Sequence, residues 1–180
     1  MAYFQCVCPV GTFSTTTRCY PRKTHRRIFA TVPYPASALN SIAVANDLCQ
    51  GAANVAPGAG LNADSRTRYE ALLGLPTVHP ASLITDGVRF VTLDGREVAT
   101  NRADLLDGTL LSPVGVSAQG TPIAAMPWTG ITNTGGPHPA TCVGNPGGQM
   151  AVASPTQTTQ WLEKAVAPCT ESHPLLCVER

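Results

Sequence analysis

Seven cysteines in a chain of 180 residues, at Cys6, Cys8, Cys19, Cys49, Cys142, Cys169 and Cys177, constrain its folding more than any other feature. Cysteine at this density is ordinary in secreted domains cross-linked by disulfides and unusual in a cytosol kept reducing by small thiols. The count is odd, so one thiol is left over. Choosing the odd one and pairing the remaining six leaves on the order of 100 connectivities, and number alone does not select among them. A zinc reading competes, because Cys169, His173 and Cys177 follow at four-residue steps and Cys142 supplies a further ligand. Structural zinc usually takes two ligands from a tight C-x2-C turn. The chain has no such turn, so disulfides are the favoured reading. The opening MAYFQCVCPVG has neither a basic n-region nor an apolar h-region, which predicts a mature form or an excised piece beginning with an added Met.

Only 13% of residues are charged, while 16 glycines and 16 prolines demand many turns. With 43% hydrophobic residues the chain has enough apolar surface to collapse and too little charge to stay expanded. A compact, loop-rich protein with one sizeable core is expected. Twelve basic against eleven acidic residues give a formal net charge of +1, without the basic excess of a nucleic-acid binder. No apolar run reaches the roughly 18 residues needed to span a bilayer, so no membrane insertion is expected.

Two regions differ in character. Residues 1–24 form a Cys- and Thr-rich segment without periodicity, ending beside the basic cluster Arg22, Lys23, Arg26 and Arg27. Residues 25–180 carry the recognisable elements. RIFATV at 27–32 alternates β-branched and aromatic residues with smaller ones and predicts a strand, stopped by Pro33 and Pro35. Ser37 is a candidate cap for a helix whose apolar positions are Leu39, Ile42, Ala45, Leu48, Cys49, Ala52 and Ala53. A shorter helix fits from about Ser65 to Leu73, with Gly74 just beyond it. Val88–Leu93, then Asp94-Gly95 and Val98, is a hairpin signal, since Asp-Gly suits the turn between right-twisted strands. Short apolar segments at Leu110–Leu111, Met126–Trp128 and Leu175–Val178 are candidate strands. Helices first and strands afterwards predict an α+β fold.

Several motifs approach chemistry without reaching it. Gly58-Ala59-Gly60-Leu61-Asn62-Ala63 mimics a dinucleotide-binding loop but follows a helix rather than a strand, so it reads as a helix–helix connection. Ser117 lies between Gly115 and Gly120, yet the residue needed as glycine in G-x-S-x-G is Gln119. Asp104 and Asp107 lack the alternating oxygen ligands and closing Glu of a calcium loop, and are expected to cap turns. His25, His79, His138 and His173 are scattered, with no helical i, i+4 pair to hold a metal. No cofactor, catalytic residue or metal ligand is expected. Trp128 and Trp161 are candidates for stacking on a ligand, with a core role as the alternative. Arg22, Lys23, Arg26 and Arg27 are a candidate patch for an anionic partner, with a plain solvated face as the alternative.

The run Cys6-Val7-Cys8-Pro9-Val10-Gly11, followed by Cys19, resembles the last third of an EGF-like module. That resemblance implies a Cys8–Cys19 disulfide and leaves Cys6 unpaired or paired to another chain. A hairpin stapled by one disulfide is the other reading of this segment. From Arg27 onward the chain resembles the endostatin-like branch of the C-type lectin-like fold, which includes the endostatin domains of certain collagens and endostatin-like surface proteins of bacteria. The resemblance rests on RIFATV as a first strand, ANDLCQGAA around Cys49, the hairpin VRFVTLDGREV, PWTG at 127–130, and Cys169-x7-Cys177 with CVER at the end. ADLLDGTLL is similar to a loop of the bacterial members. The resemblance implies a fold with two helices, a twisted and mainly antiparallel sheet, and long disulfide-clamped loops. It also implies nested disulfides, Cys49–Cys177 and Cys142–Cys169. The calcium-holding motifs of sugar-binding lectins are missing: TNTGGPHPAT precedes Cys142. The zinc-binding histidines of the collagen domains are missing too.

The expected function is that of a secreted or cell-surface, non-enzymatic binding or adhesion domain of bacterial type. It would recognise a surface protein or glycan without calcium, through loops of the 100–160 region. The alternative is a structural subunit of an extracellular filament or surface layer, self-associating through weakly charged faces and cross-linked by Cys6.

Overall fold

The computed structural model describes residues 12–15, 18–21, 25–56, 67–145 and 147–180, the first two stretches as backbone alone. Strands β1 (Thr12–Thr15) and β2 (Arg18–Pro21) form an antiparallel N-terminal hairpin with Ser14 opposite Cys19. Cys6, Cys8, Arg22, Lys23 and residues 58–63 lie outside the described residues, and so does the Cys8–Cys19 pairing.

The remaining elements are β3 (His25–Ala30), β4 (Tyr34–Pro35), α1 (Ile42–Asn54), β5 (Tyr69–Ala71), β6 (Arg89–Thr92), β7 (Glu97–Ala99), α2 (Arg102–Leu106), β8 (Gln149–Val152), β9 (Ala165–Pro168), β10 (Ser172–His173) and β11 (Leu176–Glu179). Five strands make the main sheet in the order β5-β11-β3-β6-β7. The β3–β6 ladder is parallel and the others antiparallel. Two small antiparallel pairs, β4–β10 and β8–β9, flank it. The chain is α+β.

Strands β3 and β11 occupy the middle of the sheet, and their side chains alternate between two cores. Phe29 and Cys177 point to one core with Tyr69 and Ala71, under α1 residues Ala45, Cys49 and Ala53. Ile28, Ala30, Leu176 and Val178 point to the other, against Phe90, Val98, Trp161 and α2 residues Leu105 and Leu106. Burial on both faces explains why Ile28, Phe29 and Ala30 in β3, and Leu176, Cys177 and Val178 in β11, are apolar at successive positions.

The main helix starts later than its periodicity predicts. Ser41, not Ser37, is the cap: its extended backbone lets its side chain accept from the Val44 amide at 3.3 Å. Pro33 and Pro35 keep the chain extended, and Ser37 falls in a single 3-10 turn, Ala36–Ala38, which buries Ala36 and leads to buried Leu39. The expected helix over 65–73 is also corrected, because Tyr69–Ala71 is strand β5. Its periodicity arises from a sheet edge buried on both sides, with Tyr69 and Leu73 in one core and Leu72 in the other. The second helix is instead α2, over RADLL at the start of the ADLLDGTLL stretch, where Asn101 caps the Asp104 amide at 3.0 Å. Met126–Trp128 forms no strand, although Trp128 bridges to both Val152 and Leu175. The pair β8–β9 has no counterpart among the sequence expectations.

The Asp94-Gly95 hairpin forms as expected, with Gly95 at φ 87° and a register shift between Phe90 and Val91. Partial burial pushes the Asp94 pKa upward, but hydrogen bonds from Thr92 and Arg96 outweigh this and hold it below the ordinary value. Gly74 and Gly130 meet face to face, each occupying the space where a Cβ on the other would strike its carbonyl oxygen. This contact lets the Gly74 amide bond Thr129 at 2.7 Å and docks the 127–131 segment onto the end of β5.

Disulfides join Cys49 to Cys177 and Cys142 to Cys169, across sequence separations of 128 and 27. This is the nested pairing that the resemblance implies. The first ties α1 to the sheet's second strand, inside the core.

Replacing Cys49 and Cys177 together by alanine should lower stability by about 2–5 kcal/mol in urea titrations of the oxidised protein. A depressed Asp94 pKa stabilises the fold above the unfolded value of about 3.9, and that gain is lost as pH falls through the folded value. Asp94→Asn should therefore flatten the acid limb of the stability profile, with little change near neutrality beyond the constant loss of the ion pair with Arg96.

Candidate functional site

Between α2 and β8 runs a stretch with no helix or strand among its described residues, 107–145 and 147–148. Scattered backbone bonds and isolated bridges tie it down, and side-chain hydrogen bonds reinforce them. Asp107 accepts from the Thr109 amide at 2.8 Å, and Ser117 accepts from the Gln119 and Thr121 amides, both at 3.2 Å. Asp104 accepts from the Thr100 amide and hydroxyl. These are the turn-capping roles expected of the two aspartates.

The tightest part of this face is the turn at 132–136 with the segment around Glu163. Thr132 and Gly136 close the turn through a 2.8 Å backbone bond, with buried Ile131 beneath. The Asn133 carboxamide bonds both backbone groups of residue 163, donating to its carbonyl and accepting from its amide, each at 3.1 Å. Glu163 in turn accepts from the Asn133 amide at 3.3 Å and lies 3.1 Å from His138 Nε2. His138 Nδ1 accepts from the Ala140 amide at 3.0 Å, so the proton sits on Nε2 and is donated to Glu163. Both ring nitrogens are thus spent on holding the loop. The Cys142–Cys169 bridge clamps its far end. The side chains facing solvent at the tip, Thr134 and Pro139, are uncharged.

Neither tryptophan is available to a ligand. Trp128 and Trp161 are both 0% exposed, which corrects the stacking expectation in favour of the core alternative. Trp128 donates to the Tyr34 carbonyl at 3.1 Å and packs on the His173 ring at 4.4 Å between centroids. His173 bonds the Met126 carbonyl through Nδ1 at 2.7 Å and approaches Glu171 at 3.1 Å. Trp161 is enclosed by the second core, and its indole nitrogen has no hydrogen-bond partner among the described residues. The zinc set of Cys142, Cys169, His173 and Cys177 is likewise consumed, since all three thiols are in disulfides.

The basic cluster does not form one patch among its described members. Strand alternation sends Arg26 and Arg27 to opposite faces of β3. Arg27 lies over the Tyr69 ring and bonds Glu179, itself 1% exposed, at 2.9 Å through Nε and 3.2 Å through its backbone amide. This near-buried pair belongs to the sheet rather than to a partner. Burial first, and the Glu179 charge second, push the Tyr69 pKa well above its ordinary value.

Along the β5 edge, α1 supplies what a sixth strand would. Gln50 and Asn46 accept from the outward amides of Tyr69 and Ala71 at 3.2 and 2.8 Å. A polar hollow of about 420 Å³ lies beside this edge, lined by Asp47, Arg68, Glu70 and Arg180, with Arg180 paired to Glu70.

No family model matches the chain, and no curated protein matches it. Among the described residues no helix is long and apolar enough to cross a membrane.

Trp128→Phe deletes a donor that the Tyr34 carbonyl uses, whereas Trp161→Phe removes a donor with no partner among the described residues. The first should cost about 1 kcal/mol more than the second in chemical denaturation.

Proposed function

We propose that this chain is an extracellular binding or adhesion domain of the endostatin-like, C-type lectin-like type, recognising a surface protein or glycan without calcium. The observation that carries this reading is the loop face between α2 and β8. It is a long irregular surface fixed by its own side chains and by the Cys142–Cys169 bridge, on a scaffold buried on both sides of its sheet. Recognition sites are commonly built on loops that a rigid core positions, because loop chemistry then varies without endangering the fold. Neutral hydroxyl and amide groups dominate here, which suits hydrogen bonding to sugar hydroxyls or to a peptide backbone. Two disulfides fit an oxidising compartment such as the cell exterior. The motif order from RIFATV to CVER supports the lectin-like assignment.

A panel of extracellular-matrix proteins and immobilised glycans tests this. Saturable binding that survives a calcium chelator and falls with Thr134→Arg or Pro139→Arg is expected. Failure to bind any member, or binding unaffected by both tip variants, would overturn the reading.

A further inference from the structure

Helix α1 covers the core with Ala45, Cys49 and Ala53, and its opposite side is unusual for a surface helix. Solvent-facing helix sides normally carry several charged residues. In IAVANDLCQGAAN the only charge is Asp47, beside Leu48, Gly51 and Ala52. These residues form one wall of a groove of about 350 Å³, closed by Val55, Val32, Tyr34 and the Ala118–Gln119 turn. Among the described residues four large hydrophobics are markedly exposed, and two of them, Val32 at 59% and Val55 at 72%, line this groove. The volume lies at the lower end of ligand sites, which begin near about 300 Å³, and suits one or two aliphatic side chains.

Gly51 adds an independent observation. Glycine weakens a helix interior relative to alanine, so its presence there usually reflects a close neighbour. A Cβ at Gly51 would meet nothing within 4 Å, and internal packing therefore gives no reason for it. What it does provide is backbone open to close approach from outside.

Asp47 selects the occupant. Among the described residues it has no ion-pair partner, and it stands on the ridge between the groove and the polar hollow. A second copy of α1 crossing antiparallel about Gly51 would set each Asp47 against the other helix's Val55, burying an unpaired charge on an apolar side chain. A ligand that fills the groove with an aliphatic group and carries a cation beside it satisfies both features. We infer that the groove between α1 and the 117–121 turn docks a peptide segment that presents an aliphatic side chain next to a basic one, with the cation on Asp47. This does not depend on the loop-face reading, since its decisive residues lie on α1.

The test is a titration of the oxidised, isotope-labelled protein with capped Leu-Arg dipeptide, followed through amide resonances, with capped Leu-Glu as the charge-reversed probe. Saturable shifts at Leu48, Gly51, Ala52 and Val55 are expected. Leu-Glu should bind about two- to fivefold more weakly, the range of a solvent-exposed ion pair. Asp47→Asn should level the two probes, and Gly51→Leu should abolish both titrations without lowering the melting temperature. Absence of saturable shifts at these amides would overturn the proposal. So would equal binding of the two probes to the unmodified protein, or concentration-dependent shifts at α1 without any probe, which would assign the groove to a second copy. Loss of these shifts with retained matrix or glycan binding would fail the groove and leave the loop face standing.

Discussion

The Cys49–Cys177 bridge sets the position of everything on one side of the sheet. Cys49 lies at the middle of the helix stripe Ala45–Cys49–Ala53, and Cys177 lies in β11, between β5 and β3. Small side chains on either side of the half-cystine let the helix approach the sheet closely. At that separation Asn46 and Gln50, on the flank of the same helix, reach the amides of β5. Thus one covalent bond orients α1 both around its axis and along it. The exposed side of the helix, with Asp47 and Gly51, follows from the same rotation.

The other half of the molecule is ordered differently. Few charges are available, so the loop face relies on carboxamide, hydroxyl and imidazole groups bonding to backbone. Asn133 pairs with residue 163 much as a neighbouring strand would, and His138 serves the same segment from the other side. These bonds are short-ranged and directional, and with scattered backbone bonds they let such loops keep one shape without a continuous ladder. Near-buried Arg27–Glu179 is the exception. It sits where β3 begins and β11 ends, where a lone Glu179 carboxylate would be costly to leave dry.

What could be read from the sequence followed local signals. The RIF strand, the Asp-Gly hairpin, the helix around Cys49 and the turn-capping aspartates each depend on a few adjacent residues, and each is present in the structure. Elements that depend on distant contacts were harder to read. Tyr69–Ala71 has apolar spacing that suits a helix, but its amides are drawn to α1 on one side and β11 on the other. Ser37 and Ser41 are both competent caps, and only the need to bury Ala36 and Leu39 first chooses between them. The short pair β8–β9 is alanine-rich, and with only Val152 and Val166 β-branched it lacks the density that marks a strand. Of the candidate site residues, the tryptophans were ambiguous because an indole serves core and ligand alike. Arg27 was misleading because its partner, Glu179, lies 152 residues away.

The sealing of β5 also bears on how copies of this protein could assemble. A sheet edge usually invites another strand, since its unpaired amides and carbonyls repeat at the spacing a neighbour needs. Here two helix side chains already cap the outward amides, and the helix that carries them is locked by a disulfide. An incoming strand would have to break both bonds and push aside a covalently tethered element. Any polymer of this chain must therefore grow from side-chain surfaces or from its other sheet edges, and a fibre propagated by continuous hydrogen-bonding through β5 is closed to it under oxidising conditions. Reduction of one buried bond is what would reopen that route.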